Sequence, residues 1–226
     1  METSDYERLA PILSGISHEL RNPLQGILAA LSVLRLHLEK EQKLQPFLEI
    51  IRRETQRIDE IVAELTELSH PKTLDPVAVS VAGVVNDAVR SVQDSAQARN
   101  AIIRTNLAQD LPPARIDSGA VRKAIAALIR NAIESKPSGA EVNIAVSAEA
   151  GLLTVSVSDD GEGIPATDLS KVLEPFFSTR KGRSGLGLNF ADKAARIHSG
   201  ILTIKSQLGE GTEASLRIPY GQHSDH

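Results

Sequence analysis

The chain has 226 residues, of which 41% are hydrophobic, so it can bury the core of one large domain or of two small ones. It contains no cysteine, which excludes disulfides and thiolate metal sites, and its net charge of −4 argues against a nucleic-acid-binding face. It has no run of about 18 apolar residues and no basic-then-apolar leader, so we predict no membrane span and no signal peptide, and expect a cytoplasmic location.

The composition changes near residue 70, and this change predicts a domain boundary. Residues 1–70 hold 8 Lys and Arg against 12 Asp and Glu and contain few Gly and Pro, whereas the remainder holds 17 of each charge and many more Gly and Pro. Pro71 ends the helical pattern. We therefore predict a helical domain at 1–70, a linker at 71–75, a second domain at 76–220 and a disordered tail at 221–226.

Apolar residues in the first domain recur in steps of three and four, which predicts two long helices with heptad seams. A polar segment at 39–46 lies between them and ends in Pro46, a residue suited to a helix start. The two helices would form an antiparallel hairpin, and because a hairpin alone buries little apolar surface, we predict that two copies pair into a dimeric four-helix bundle. The seam positions are Leu13, Ile16, Leu20, Ile27, Ala30 and Leu34, then Leu48, Ile51, Thr55, Ile58, Val62 and Leu65.

The first helix carries a histidine on its predicted solvent face. If Leu13 is position a of the heptad, His18 is position f, and Asn22 lies one turn further on the same face. Pro23 removes a backbone donor, so a kink is expected there. An exposed neutral imidazole is a nucleophile at neutral pH, and Glu19 could hold or accept the proton of its other ring nitrogen. These neighbours alone do not exclude an ordinary surface histidine.

Mixed periodicities predict an α+β fold for the second domain. Helices are expected at 81–99, at 117–135 with Asp117 or Ser118 as N-cap, and at 186–199 with Gly200 closing the last one. Strands are expected at 101–105, 141–147, 152–158, 201–206 and 213–218, with turns at 149–151 and 209–212. Together these elements predict an α/β sandwich, in which a mixed sheet has its helices on one face.

Three polar features interrupt this pattern. Asn131 sits inside an otherwise apolar helix, residues 159–165 follow a strand, and Gly185 and Gly187 precede a helix. A glycine-rich helix start favours phosphate, a carboxylate at a strand end can accept from an exocyclic amine, and an amide can hold Mg²⁺ with water. Each feature is weak alone, because glycine turns are common and a buried Asn is often only a satisfied polar group. The spacing fits neither a P-loop nor a Rossmann fingerprint.

Six short motifs in order resemble those of the sensor histidine kinases of two-component signalling, over about residues 6–219. They are Ser-His-Glu-Leu-Arg-Asn-Pro-Leu at 17–24, Leu-Ile-Arg-Asn-Ala at 128–132, Asp-Asp-Gly-Glu-Gly-Ile at 159–164, Glu-Pro-Phe-Phe-Ser-Thr at 174–179, Gly-Leu-Gly-Leu at 185–188 and Gly-Glu-Gly-Thr at 209–212. Six motifs in this order are very specific. The resemblance implies a dimeric phosphoacceptor domain and an ATP-binding domain of the gyrase, heat-shock chaperone, histidine kinase and mismatch-repair type. It is loosely nearest the nitrogen-regulator-like branch.

The resemblance also implies roles for individual residues. His18 would be the phosphoacceptor, Glu19 the general base, and Asn22 would act later, when phosphate is removed from the partner. Asn131 would bind Mg²⁺, and Asp159 would accept a hydrogen bond from the adenine amine. The other residues implied in nucleotide binding are Gly161, Gly163, Phe177, Thr179, Lys181, Gly185, Leu186, Gly187, Leu188 and Thr212, with a mobile lid at 178–185.

These roles imply an ATP- and Mg²⁺-dependent histidine autokinase that forms a homodimer and passes phosphate to an aspartate of a response-regulator receiver domain. The chain would be the cytosolic part of a longer sensor or a small soluble kinase. Many relatives have Asn one turn before the Mg²⁺ ligand and Lys three residues after it, whereas this chain has Ala127 and Glu134. Two alternatives stay open: a phosphotransfer or phosphatase module that does not use ATP productively, and an ATP-switched scaffold or anti-sigma-like binder.

Overall fold

The computed structural model describes residues 24–29, 31–32, 34, 44, 46–48, 50–52, 55, 58, 62, 74–174, 177–179 and 185–220. His18, Glu19, Asn22, Lys181 and the tail at 221–226 lie outside the described residues. The chain divides into two compact units, Met1–Lys72 and Thr73–His226. In the part of the chain that is described, none of the helices combines the length and apolar character that a membrane crossing requires.

The first unit shows two apolar stripes on its helical segments. The described residues at 24–34 and at 46–62 are helical, as the apolar spacing predicts. Leu24, Leu31, Thr55 and Val62 are buried, whereas a second set is 45–47% exposed. That exposed stripe comprises Ile27, Leu34, Ile51 and Ile58. Each stripe repeats every seven residues, so the helices are apolar over a wider arc than the a and d positions alone would give. In the first segment the buried residues Leu24 and Leu31 lie outside the predicted seam.

The second unit is built on a five-stranded sheet. Its elements are β1 Val77–Val79, α1 Val81–Ser91, α2 Gln93–Ala98, β2 Ile102–Leu107, β3 Ala114–Ile116, α3 Ser118–Ile133, β4 Glu141–Glu149, β5 Leu152–Asp159, α4 Gly187–Ile197, β6 Ile201–Gln207 and β7 Gly211–Pro219. The strand order is β2-β4-β5-β7-β6, with β2 and β4 parallel and the other neighbours antiparallel. The predicted α+β class and mixed sheet are confirmed.

The sequence interpretation missed one small sheet and one helix break. β1 and β3 pair antiparallel as a separate ribbon, with Val77 opposite Ile116. Three residues are too few for an alternating pattern to stand out. The segment predicted as one helix at 81–99 is divided into α1 and α2, because Val92 takes non-helical dihedral angles of φ −114° and ψ 5°.

One face of the large sheet packs against the helices. α3 contacts β4, β5 and β7, α4 contacts β6 and β7, and α1 packs on α3. Alternate residues of three strands are buried in this layer: Val142, Ile144, Val146, Leu153, Val155, Val157, Ala214, Leu216 and Ile218. Burying each of the larger side chains contributes about 1.5–3 kcal/mol, so this layer holds the unit together. The residues between them lie on the other face of the sheet, where Asn143 and Arg217 are exposed.

The end of α4 differs from the prediction that Gly200 closes the helix. The left-handed residue there is Ser199, with φ 55°, and the N–H of Gly200 donates to the carbonyl oxygen of Ala195 at 2.8 Å. Glycine is required at 200 for another reason. A Cβ at that position would lie 2.1 Å from the carbonyl oxygen of Arg217, so the chain can pass β7 only without a side chain.

Candidate functional site

A row of polar side chains crosses one end of the helix-covered sheet face. Asp159 is the last residue of β5, Thr212 lies directly opposite it on β7, and Ser206 lies opposite Thr212 on β6. Directly opposed residues project from the same face, and Asp159 and Thr212 stand two residues from the buried Val157 and Ala214. The three therefore lie on the core side of the sheet. Asp159, Thr212 and Ser206 are called the polar row below.

The last turn of α3 and the residues just after it bring two more polar residues to this end. The helix begins at Asp117, whose carboxylate accepts from the N–H of Ala120 at 2.9 Å, and its inner face is apolar. Asn131 is half-buried within that apolar run, and Ser135 is buried one turn later. A Cβ built on Gly187 would lie 3.4 Å from Nδ2 and 3.5 Å from Oδ1 of Asn131. The Asn131 amide therefore lies beside the first residue of α4.

The glycine loop after β5 passes close to α3 and to the end of β6. A Cβ at Gly161 would lie 2.1 Å from Cβ of Ser135, and a Cβ at Gly163 would lie 2.0 Å from the carbonyl oxygen of Gln207. The N–H of Gly161 also donates to Oδ1 of Asp159 at 2.9 Å. Only glycine permits both approaches, so the loop joins α3, the polar row and the β6–β7 hairpin into one cluster.

Ser206 links this loop to the β6–β7 hairpin. Its Oγ accepts from the N–H of Ile164 at 2.8 Å, donates to the carbonyl oxygen of Gly211 at 2.8 Å and lies 2.9 Å from Oγ1 of Thr212. The N–H of Gly209 donates to the carbonyl oxygen of Glu162 at 2.8 Å. These bonds hold the residue after the glycine loop against the start of β7.

A charged contact fixes the start of the same loop. Asp160 receives a 2.6 Å hydrogen bond from Nζ of Lys136 and a 2.9 Å bond from the N–H of Glu141. The Lys136 contact is the main cause that lowers the pKa of Asp160 below its ordinary value, and the Glu141 N–H adds to it. The carboxylate thus ties the residue next to Asp159 to the end of α3 and the start of β4.

The start of α4 completes the cluster on its other side. Gly185 has φ 70°, and the N-cap residue Leu186 makes no side-chain hydrogen bond to the first turn of the helix. Leu186 is fully buried, and Nδ2 of Asn189 donates to the carbonyl oxygen of Leu173 at 3.1 Å, which anchors the helix to the preceding segment. A helix start of this kind presents backbone N–H groups and the positive end of its dipole, which favours an anion.

The structure brings together part of the predicted nucleotide site. The close approaches described above join Asn131, Asp159, Gly161, Gly163, Gly187 and Thr212, with Gly185, Leu186 and Leu188 flanking the start of α4. Phe177 is half-buried and donates its N–H to the carbonyl oxygen of Glu174 at 3.2 Å, and Thr179 is exposed. Neither belongs to the network just described, Lys181 lies outside the described residues, and the nucleotide-binding roles of all the predicted residues stay predictions.

Two members of the cluster were missed in the sequence. Ser206 has a clear signal, because Leu202 and Ile204 alternate toward the core and the same period brings Ser206 to that face beside the last glycine motif. Ser135 lies four residues after Asn131, the spacing that keeps two residues on one side of a helix. The spacing could therefore have identified both residues, although the hydropathy of a serine by itself gives only a weak signal.

The donors present fit Mg²⁺ held together with a nucleotide. Among the residues that the structure describes, no three His, Cys, Asp or Glu side chains cluster as a site for a lone metal ion. Mg²⁺ commonly keeps several waters and takes only one or two protein ligands besides substrate phosphates. The amide oxygen of Asn131, beside a helix start that favours phosphate, suits that kind of binding.

Two family models match successive parts of the chain. The His Kinase A (phospho-acceptor) domain matches residues 10–73, and the histidine kinase-, DNA gyrase B-, and HSP90-like ATPase matches residues 116–222. His18, Glu19 and Asn22 fall within the first match. Asn131 and the polar row fall within the second.

Known proteins resemble the chain over nearly its whole length. Sporulation kinase E of Bacillus subtilis (strain 168) is 26% identical over 215 residues, which cover 95% of this chain and 29% of that protein. The solved structure of full-length ShkA in complex with AMPPNP covers 95% of this chain and 47% of its own, with a TM-score of 0.78 and 20% identity. The solved structure of histidine kinase ThkA in complex with the response regulator TrrA covers 96% of this chain and 63% of its own, with a TM-score of 0.71 and 21% identity. The chain thus spans less than a third of sporulation kinase E and about half of ShkA.

Proposed function

The chain belongs to the sensor histidine kinases, and on that premise we propose that it transfers the γ-phosphoryl group of ATP to its own His18 and then to an aspartate of a response-regulator receiver domain. One observation carries the proposal. Asn131 lies beside Gly187 while Asp159 lies opposite Thr212, and Ser135 connects the two pairs because it follows Asn131 by one turn and approaches Gly161. A base and a triphosphate need such groups on two sides of one pocket.

Each part of the nucleotide would meet a different part of the cluster. The Asp159 carboxylate would accept from the exocyclic amine of adenine, with Thr212 beside it. The backbone N–H groups from Gly185 to Leu188 would bind phosphate oxygens, and the oxygen of Asn131 would hold Mg²⁺. Mg²⁺, when bound, neutralises the charge on the phosphates and orients them. The AMPPNP complex of ShkA supports nucleotide binding by this fold.

Phosphoryl transfer then requires position more than covalent chemistry from the protein. Nε2 of neutral His18 would attack the γ-phosphorus in line, so that an N–P bond forms while the bond between the γ-phosphorus and the bridging oxygen breaks and ADP leaves. Glu19 would hold or accept the Nδ1 proton of the ring. Because His18 and the nucleotide cluster lie in different units, the linker at 71–75 must allow the two to approach.

The exposed stripe of the first unit supports a homodimer. Each helical segment carries two branched aliphatic residues, seven positions apart, that stay 45–47% exposed in the single chain, and a second stripe is already buried. A second copy would cover them and complete a four-helix bundle. The solved complex of ThkA with TrrA supports a response-regulator receiver domain as the acceptor of the phosphoryl group.

The test is incubation with γ-labelled ATP and Mg²⁺, followed by acid and alkali treatment of the labelled chain. We expect label on the wild type that is lost in acid and retained in alkali, as a phosphoramidate requires. His18→Ala should abolish labelling, and His37→Ala, which removes another histidine of the same unit, should leave it intact. Labelling of His18→Ala at the wild-type rate would refute the assignment.

Two departures from the family favour a second candidate, a phosphatase or phosphotransfer module that does not use ATP productively. Ala127 stands one turn before Asn131, and Glu134 three residues after it, so neither provides the amide or the cation found in many relatives. Calorimetric titration with ATP, with and without Mg²⁺, distinguishes the candidates. Binding strengthened by Mg²⁺ supports the kinase, and no binding supports the module.

A further inference from the structure

We infer that Ser206 is a positioning residue that fixes the hydrogen-bond polarity of Thr212 and thereby makes the base pocket select a purine with an amino group over one with a keto group. The inference rests on the proposed function, since it concerns the nucleotide of the same site. It adds a residue that contacts no nucleotide itself and acts through Thr212.

The Ser206 hydroxyl has three hydrogen-bond partners within 2.9 Å. A serine hydroxyl has one hydrogen and two acceptor lone pairs. The carbonyl oxygen of Gly211, 2.8 Å away, can only accept, and the N–H of Ile164, also 2.8 Å away, can only donate. Ser206 therefore gives its hydrogen to Gly211, and the 2.9 Å contact with Thr212 is satisfied only if Thr212 is the donor.

Thr212 keeps only acceptor capacity for any other partner. Its single hydroxyl hydrogen is directed at Ser206, so its oxygen can offer only lone pairs to any other group. Asp159, directly across on β5, is a carboxylate and also only accepts. The two residues that share this part of the sheet face thus present acceptors, which suit the N–H₂ group of adenine and oppose the carbonyl oxygen of a 6-keto purine.

Close backbone contacts hold the chain on both sides of Ser206. The backbone around Ser206 is fixed from two sides, because Gly163 lies against the carbonyl oxygen of Gln207 and Gly211 lies against that of Asp159, each at a distance of 2.0 Å for a hypothetical Cβ. The Gly209 N–H also bonds to Glu162. The backbone that carries Ser206 is therefore held in place, which keeps its hydroxyl within hydrogen-bond distance of Gly211, Ile164 and Thr212.

The experiment compares Mg²⁺-ATP with Mg²⁺-inosine triphosphate by calorimetric titration. For the wild type we expect ATP to bind at least about tenfold tighter, since a keto oxygen leaves acceptors facing an acceptor. In Ser206→Ala the Thr212 hydroxyl is released and can turn to donate to the keto oxygen. The ratio of the two dissociation constants should then fall several-fold, mainly through tighter binding of inosine triphosphate.

Two controls separate positioning from a general loss of structure. Ser156→Ala removes a hydroxyl that bonds to Ser215 on the opposite face of the same sheet, and it should leave the ratio unchanged. In a Thr212→Val background, Ser206→Ala should have no further effect on the ratio, because the group through which it acts is gone. Ser206→Cys, whose thiol is a weaker acceptor and donor of similar shape, should give an intermediate ratio and replaces Ser206→Ala if that variant fails to fold.

The outcomes distinguish the two proposals. A wild type that binds ATP, together with Ser206 variants of unchanged ratio, would overturn the inference and leave the proposed function standing. An equal effect of Ser206→Ala with and without Thr212 would also overturn it. A wild type that binds neither nucleotide removes the kinase proposal and the inference with it.

Discussion

The N–H of Asp117 donates to Nε2 of His198 at 3.0 Å, while Nδ1 of the same ring bonds to the carbonyl oxygen of Ala194 at 2.7 Å. The imidazole is buried, and its two bonds require the neutral tautomer with hydrogen on Nδ1. His198 therefore joins the end of α4 to the start of α3. The opposite ends of these two helices carry Gly187 and Asn131, so the contact helps to set the spacing of that pair.

Replacement of His198 should destabilise the second unit. His198→Ala removes a buried ring and leaves the Asp117 N–H without this acceptor, so we expect a loss of about 2–3 kcal/mol in the free energy of unfolding. Urea denaturation followed by circular dichroism measures this loss. Gln97→Ala, an exposed site on α2, should stay within about 0.5 kcal/mol of the wild type. Equal stability of the two variants would contradict the role given to the ring.

Asn131 should matter for nucleotide binding only when Mg²⁺ is present. Asn131→Ala removes the amide oxygen, and we expect Mg²⁺-ATP affinity to fall about tenfold or more while affinity in EDTA changes little. Calorimetric titration under both conditions measures the difference. The control is Asn143→Ala, on the exposed face of β4. A uniform loss with and without Mg²⁺ would instead indicate a structural role for Asn131.

Replacement by alanine should change the free energy of unfolding in opposite directions at two glycines. Gly161→Ala would place its Cβ 2.1 Å from Cβ of Ser135, so we expect about 1–3 kcal/mol of destabilisation and weaker ATP binding. Gly83→Ala, in helix α1 with only ordinary contacts at 3.7 and 3.8 Å, should instead stabilise the fold by about 0.5–1 kcal/mol. Thermal unfolding and ATP titration of both variants test the pair. A neutral Gly161→Ala would contradict the close packing of the loop on α3.

The Lys136–Asp160 contact should make the stability of the fold depend slightly on pH in the acidic range. The pKa of Asp160 is lower in the folded chain than in the unfolded one, so its contribution is present above about pH 4 and is lost as pH falls through the lowered folded value. Because both side chains are partly exposed, the effect should be small and weakened by salt. Unfolding midpoints of the wild type and Asp160→Asn, measured from pH 6 to pH 2.5 at low salt, should converge at the acid end. Parallel curves would argue against the linkage.

The exposed stripe of the first unit should control self-association. Ile27→Glu combined with Ile58→Glu places charge on two residues of that stripe, and a second copy could bury those charges only at high cost. We expect the chain to shift from dimer to monomer in analytical ultracentrifugation. Gln25→Glu adds charge at an exposed polar position nearby and should leave the dimer intact. A dimer that survives the double substitution would place the interface elsewhere.

Much of the second unit could be predicted because its signals are local. Apart from the helix predicted at 81–99, which is divided after Ser91, the bounds of its longer helices and strands follow from periodicity, from the Asp117 cap and from the glycine turns, and they agree with the structure to within about two residues. β1 and β3 could not be predicted, because such short strands are stabilised by pairing with each other rather than by the preferences of their own residues. The predicted role of Gly200 is wrong because the constraint on this residue comes from Arg217 on β7, which no local rule contains.

The candidate site shows the same division. Asn131, Asp159 and the glycine motifs stand out in the chain because polar or glycine residues interrupt apolar runs, and such interruptions are visible residue by residue. Strand register and helix packing between segments far apart in the chain decide how these groups meet. They place Asp159 opposite Thr212 and Asn131 beside Gly187, and they let Ser206 accept a hydrogen bond from Thr212. Local sequence fixes which groups are available, and only the tertiary contacts decide which of them meet and which way their hydrogens point.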